Sequence, residues 1–235
     1  MATVLEALTI TDRNNAGFES SYTATAPAGI TAGELLVCAA FARRGYNKDP
    51  FHDTPSGWSV GESVNGFVGD AGPYNQITLF YKVANGSEGN ITIAMSPTTC
   101  QANAAMYMRF SGVDTSDPFI TIRGDLWGDE GSATASYTHP TMTAAAGELC
   151  YIFNVCREAT TTKYPFDSAA LTNSWTVENQ VNVWPVNDSL NAAALTRRST
   201  TTTAPNCNME WQSAIGMCTI GMTLRPIASR RIFIT

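Results

Sequence analysis

The chain has 235 residues, a formal net charge of −6 and 14% charged residues against 44% hydrophobic ones. That balance excludes general nucleic-acid binding over the surface, which needs net positive charge to displace counterions. It also leaves too few Glu, Lys and Arg to cover helical surfaces, and no apolar stretch approaches the roughly 20 residues of a membrane helix.

In chain order, the opening MATVLEALTITD has no basic leader and no apolar core of signal-peptide length, so secretion by that route is not expected. Leu8 and Ile10 alternate with Thr9 and Thr11, which predicts a strand over Val4 to Thr11; its first half, Val4 to Ala7, also reads as a helical turn. The segment SYTATAPAGITAGELLVCAAFARR from Ser21 then returns as SYTHPTMTAAAGELCYIFNVCRE from Ser136, 115 positions on. Gly33-Glu34-Leu35 answers Gly147-Glu148-Leu149, and Gly57-Trp58 answers Ser174-Trp175. Met106, Met108 and Phe110 answer Ile220, Met222 and Leu224 at 114. One half-fold is written twice, and the matched positions carry packing residues.

The runs Leu35 to Ala42 and Leu149 to Cys156 are apolar on both faces, as in central strands covered on both sides by a second sheet or a neighbouring subunit. Ile77, Leu79, Tyr81 and Val83 alternate with Thr78, Phe80 and Lys82, and Met106, Met108 and Phe110 alternate with Tyr107 and Arg109. Turn signals separate the strands: Asn85-Gly86, Ser96-Pro97, Ser111-Gly112, Asp117-Pro118 and Ala204-Pro205. The expected fold is an all-β, jelly-roll-like antiparallel β-sandwich over residues 1–235, with an N-terminal arm 1–17, pseudo-repeats 18–115 and 133–226, and a C-terminal tail 227–235. Two smaller sandwiches, divided near Gly124 to Ser132, remain open. The expected core is Leu35, Val37, Phe41, Leu79, Met108, Leu149, Phe153, Met222 and Leu224.

Little in the chain suggests chemistry. His52, beside Asp49 and Asp53, reads as a loop histidine: there is no G-x-S-x-G elbow and nothing selects a serine partner. Glu62 and Glu178 resemble a glycosidase carboxylate pair, which repeat symmetry explains more simply. The acidic loop Gly124 to Glu130 lacks the spacing of a helix-hairpin calcium loop. Cys38, Cys150, Cys156 and Cys218 fall in apolar strand cores as free thiols, while Cys100 and Cys207 are the pair to check for a disulfide. No C-x-x-C pair occurs and the chain has two histidines, so zinc has little support and no metal or cofactor is expected. Arg43-Arg44 and Arg197-Arg198 are not repeat equivalents and read as solvated or interface charges. Trp58 and Trp175 are expected in the core. Trp127, Trp184 and Trp211 lack counterparts and are candidates for surface contacts, Trp184 foremost. In the tail, Arg230, Arg231, Ile232, Phe233 and Ile234 read as a strand that pairs with a neighbour.

The order GELLVCAAFA, PSGWSV, ITLFYKVANGSEGNITIAMS, AAMYMRFSGVDTSDPF resembles a β-sandwich module common in tailed-phage and prophage proteins, over roughly residues 18 to 157 and more weakly to Arg225. That family shows a G-[DE]-L-L-V strand, a P-x-G-W turn and a [FY]-Y-K-x-A strand followed by an acidic turn. The resemblance implies a non-enzymatic virion component assembled in the host cytoplasm, foremost a capsid decoration (cement) protein. It would contact the major capsid protein and copies of itself as a homotrimer, with no membrane or nucleic-acid partner. A tail-fibre or receptor- or carbohydrate-binding domain is the alternative. No catalytic residues come with the resemblance.

Overall fold

The computed structural model describes residues 2–44, 51–66, 74–96, 100–127, 136–158, 171–183, 189–200, 203–204, 206–210 and 214–228, and among them there is no helix. The first half carries β1 (Val4–Glu19), β2 (Ser21–Ala24), β3 (Leu35–Arg44), β4 (Phe51–His52), β5 (Ser59–Gly66), β6 (Tyr74–Val83), β7 (Ile91–Ser96) and β8 (Cys100–Ser111). The second carries β9 (Phe119–Trp127), β10 (Ser136–His139), β11 (Met142–Thr143), β12 (Leu149–Glu158), β13 (Thr176–Val183), β14 (Ser189–Arg198), β15 (Thr203–Ala204), β16 (Cys207–Glu210) and β17 (Ala214–Leu224).

Two large antiparallel sheets form a sandwich, with strand orders β1-β8-β3-β6-β5 and β13-β14-β12-β17-β9. Read from opposite ends these are the same order: β1 matches β9, β8 matches β17, β3 matches β12, β6 matches β14 and β5 matches β13. Each half adds an outer sheet, β2-β7-β4 in the first and β10-β16 in the second. In the first half, first strand beside last, third beside sixth and second beside seventh is a jelly-roll order, and the second half repeats it through the matched pairs β9-β17, β12-β14 and β10-β16. The halves divide between Ser111 and Phe119, ahead of the Gly124 to Ser132 break read from sequence, since Gly124 to Trp127 belong to β9. Each half is a small sandwich, and the halves join through their large sheets, giving four layers.

The alternation of side chains explains the layering. On β3, Leu35, Val37, Ala39 and Phe41 enter the central core with Leu149, Tyr151, Phe153 and Val155 of β12. The opposite face of β3, Leu36, Cys38, Ala40 and Ala42, packs under the first outer sheet with Tyr22, Ile93 and Met95. On β12, Cys150, Ile152 and Cys156 pack under the second with Tyr137 and Met209. Two-sided apolar runs are thus covered by a sheet on each face, and all nine expected core residues are buried, Leu149 being the most exposed at 5%.

β1 lies over β13 and β5 over β9. An approximate twofold axis along the strands performs that exchange. At one end the halves are tied by the Val113–Pro226 bridge, by Asp114 N donating to Arg225 O at 2.8 Å and by Arg198 Nη2 donating to Thr3 O at 2.6 Å. The stretch expected as an N-terminal arm forms β1, paired along β8 from Val4↔Ser111 to Glu19↔Cys100. The structural repeat accordingly runs from Val4 to Ser111 and from Phe119 to Leu224, earlier than the 18–115 and 133–226 read from sequence. Val4 to Ala7 is strand, with an irregularity between Leu5 and Ala7.

Candidate functional site

A buried polar cluster lies between the first outer sheet and its large sheet. His52 is not a loop residue: it forms β4, paired with Met95 of β7, and is 6% exposed. Its ring meets Tyr22 and Phe80 edge-on at centroid distances of 6.0 and 6.3 Å. Nε2 lies 3.3 Å from Tyr22 Oη and Nδ1 lies 3.0 Å from Thr78 Oγ1. Thr78 Oγ1 in turn lies 3.0 Å from Ser63 Oγ and accepts from Gln76 Nε2 at 3.2 Å. Tyr22 Oη also reaches Ala104 O at 3.2 Å. Burial pushes the His52 imidazole down to about 3 and raises the Tyr22 phenol well above its ordinary value. A neutral histidine this weakly basic, sealed between sheets, is poorly suited to take a proton from substrate near neutral pH. Its hydrogen bonds instead fasten β4 to β2 and β6.

A second cluster opens to solvent where the edges of the two large sheets meet. Glu62, Ser63, Val64 and Asn65 of β5 and Gly124 and Asp125 of β9 line a shallow groove of about 370 Å³. The stretch Gly124 to Trp127, read as the start of an acidic loop, is the end of β9, because Gly124 to Trp127 pair with β17. Residues 128–130 lie outside the described ones. Asp125 accepts a hydrogen bond from Tyr137 Oη at 2.6 Å, which holds its carboxylate against the second outer sheet. Among the described residues no group of three His, Cys, Asp or Glu side chains could hold a metal ion.

The paired-carboxylate reading of Glu62 and Glu178 is corrected by strand register. Glu62 opposes Leu79 and Asn179 opposes Ala194, with an irregularity between Val60 and Glu62 and another between Val177 and Asn179. Glu62 therefore matches Asn179, and Glu178 is the extra residue of a bulge, matching Gly61.

Trp58 and Trp175 are buried, at 9% and 3% exposure, each closing a turn whose amide donates back to Pro55 O at 3.0 Å or Thr172 O at 3.3 Å. Trp58 meets Tyr107 edge-on at 5.4 Å. All six cysteines are buried and none is in a disulfide. Cys100 packs under the first outer sheet and Cys207 under the second, so the central sandwich separates the pair considered for a disulfide. Trp184, Arg230, Arg231, Ile232, Phe233 and Ile234 lie outside the described residues, as does Trp211 and the side chain of Trp127. No helix of the described residues is long and apolar enough to cross a membrane.

The network around His52 carries no sequence signature, since Tyr22, His52, Ser63, Gln76 and Thr78 come from four strands. The groove was equally hidden, because it depends on how the two halves stack. Comparison with protein-family models, curated proteins and solved structures returns no match to this chain.

Proposed function

We propose that this chain is a non-enzymatic structural protein of a virion, a capsid decoration (cement) protein that binds the major capsid protein and copies of itself as a homotrimer. The observation that carries the reading is the doubled jelly roll itself. Its repeated residues form four packed layers and matched turns, and the hydrogen bonds of the buried His52 tie strands of the scaffold together. The motifs behind the phage resemblance do the same work. Gly33-Glu34 and Ala84 exchange two backbone hydrogen bonds of 2.9 and 2.8 Å, and the Pro55–Trp58 turn seats an indole in the core. Attachment of many copies to a shell multiplies modest contacts into a durable one.

The test mixes purified protein with undecorated capsids and measures co-sedimentation and copies per particle, for the full chain and for a chain ending at residue 228. Stoichiometric binding in large copy number, weakened by the truncation, is expected. Failure of the full chain to bind overturns the reading. The groove at Glu62, Asn65 and Asp125 favours the second reading, a carbohydrate-binding fibre domain. Glycan-array binding that Asp125→Asn abolishes would select it.

A further inference from the structure

Both histidines of this chain occupy the same layer of the architecture. His52 lies on the outer sheet of the first half and His139 on that of the second, each buried against its large sheet. The central core between the large sheets contains none. The two are not repeat equivalents: His52 lies on β4, and His139 on β10, which matches β2.

Burial disfavours a charged ring at both sites: His52 faces two hydroxyls, Tyr22 Oη and Thr78 Oγ1, and no carboxylate, whereas His139 has an acceptor for one ring N–H. Around His52 the packed elements supply Tyr22 from β2, Phe80 and Thr78 from β6, and Met95 of β7 as its strand neighbour. The titratable groups nearby are Tyr22 and the thiols of Cys38 on β3 and Cys100 on β8 that act on it. The adjoining Asp53 is exposed. His139 is 0% exposed and its Nδ1 lies 2.9 Å from Pro140 O, fixing Nδ1 as the donor. Its Nε2 is buried without a partner and packs on Gly221 of β17, where a Cβ would stand 2.8 Å from it. The charged groups that act on His139 are Asp125 and Arg123 of β9, of opposite sign. Tyr137, on its own strand, donates to Asp125. A second proton on His139 would place an N–H where the described residues offer no acceptor.

We propose that the two histidines are an acid-operated latch: each holds an outer sheet on its large sheet while neutral, and acid releases the outer layers while the central sandwich stays closed. The direction follows from linkage. Burial lowers the folded value to about 3 for His52 and about 4 for His139, from 6.5. A lowered histidine contributes stability that is fully present above the unfolded value and is lost as pH falls below it. Because opening an outer sheet takes up one proton, its equilibrium rises about tenfold per pH unit over that window. Carboxylates with ordinary values titrate lower, so the upper part of the window isolates the histidines. The latch stands whether or not the decoration reading holds.

Hydrogen exchange read by mass spectrometry from about pH 7.5 to about pH 5, corrected for intrinsic rates, tests this. Amides of β2, β7, β10 and β16 are expected to lose about tenfold in protection per unit below about pH 6.5, while those of β3, β12 and β17 hold. His52→Gln should flatten the response of β2 and β7 alone, and His139→Gln that of β10 and β16 alone. Outer-strand protection that ignores pH, or outer and central strands that open together, overturns the latch. So does an unchanged response in both variants. Should a variant not fold, the wild-type profile decides.

Discussion

Gly124 and Val64 meet across the central interface so closely that a Cβ on Gly124 would overlap a methyl of Val64. Their pseudo-symmetric counterparts are Ile10 and Val181, since Ile10 opposes Met106 as Gly124 opposes Ile220. The exchange is compensated nearby: Val64 opposes Ile77, whereas Val181 opposes Ala192. Volume missing from one partner is present in the other. Gly124→Ala is expected to cost about 1–3 kcal/mol, because a β-branched neighbour on a packed strand gives little. Gly89→Ala, with nothing within 4 Å of its would-be Cβ, should stay within about 0.5 kcal/mol. Urea denaturation of the two variants makes the comparison, and equal midpoints would refute it.

The two tryptophan turns differ in backbone. Gly57 sits at φ 77°, whereas Asn173 and Ser174 sit at 58° and 59°. Two consecutive positive values make the second a type I′ turn, which prefers glycine at its second central position. Ser174→Gly should therefore stabilise the chain by about 0.5–1 kcal/mol, relief of strain exceeding the entropy glycine adds. Thermal melting checks it. A lower midpoint would mean that the hydroxyl matters more than the backbone.

Glu34 and Glu148 occupy matched turns but have unequal duties. Each accepts a backbone amide, from Thr31 and from Ala145. Glu34 also holds Arg109 at 2.7 Å in a pair whose side chains are 9% and 16% exposed, while the residue matching Arg109 is Thr223. Glu34→Gln should cost about 1–3 kcal/mol and Glu148→Gln less than about 1 kcal/mol. A double-mutant cycle of Glu34→Gln with Arg109→Met isolates the pair, and a coupling near zero would contradict its role.

The six buried thiols give a test of the whole architecture. Burial raises the Cys38 thiol and pushes Cys207 up to about 12, so thiolate is scarce and reagent is excluded. Native protein near pH 8 should react negligibly with Ellman's reagent, and unfolded protein should release all six thiols. Fast labelling of any cysteine in native protein would show its layer to be open.

Met108 and Met222 are matched residues of the central core, both at 0% exposure. An aspartate at either site would bury an unpaired charge, at a cost of several kcal/mol. Both Met108→Asp and Met222→Asp are expected to be insoluble or unfolded by circular dichroism, and a cooperative melt from either would argue against the central interface.

The residues that made the fold legible are those whose neighbours are local. Leu35 to Ala42 announces a two-faced strand because every side chain along it is apolar, and the layers on both sides bear that out. β1 was harder to match to β9, because edge strands carry one buried face and share little beyond alternation. His52 was misread because DPFHDTPSGW is rich in turn residues, while its strand partner, Met95, is 43 positions away. The Glu62 and Glu178 match failed at a bulge, where one inserted residue shifts the count without changing composition. Site geometry that depends on a sheet-to-sheet approach, such as the groove beside Gly124, leaves no trace in spacing.

The pairing of β1 with β8 has a consequence during synthesis. A ribosome must deliver about 110 residues before the first and last strands of the first half can meet, because the register joins Val4 to Ser111. When that half closes, its inner face, Leu35 through Phe110, is not fully covered until β17 arrives more than 100 residues later. At about 5–20 residues per second the exposed sheet waits several seconds or longer. The nascent first half therefore passes through a stage in which chaperones, or the same sheet of another nascent chain, compete with its own second half.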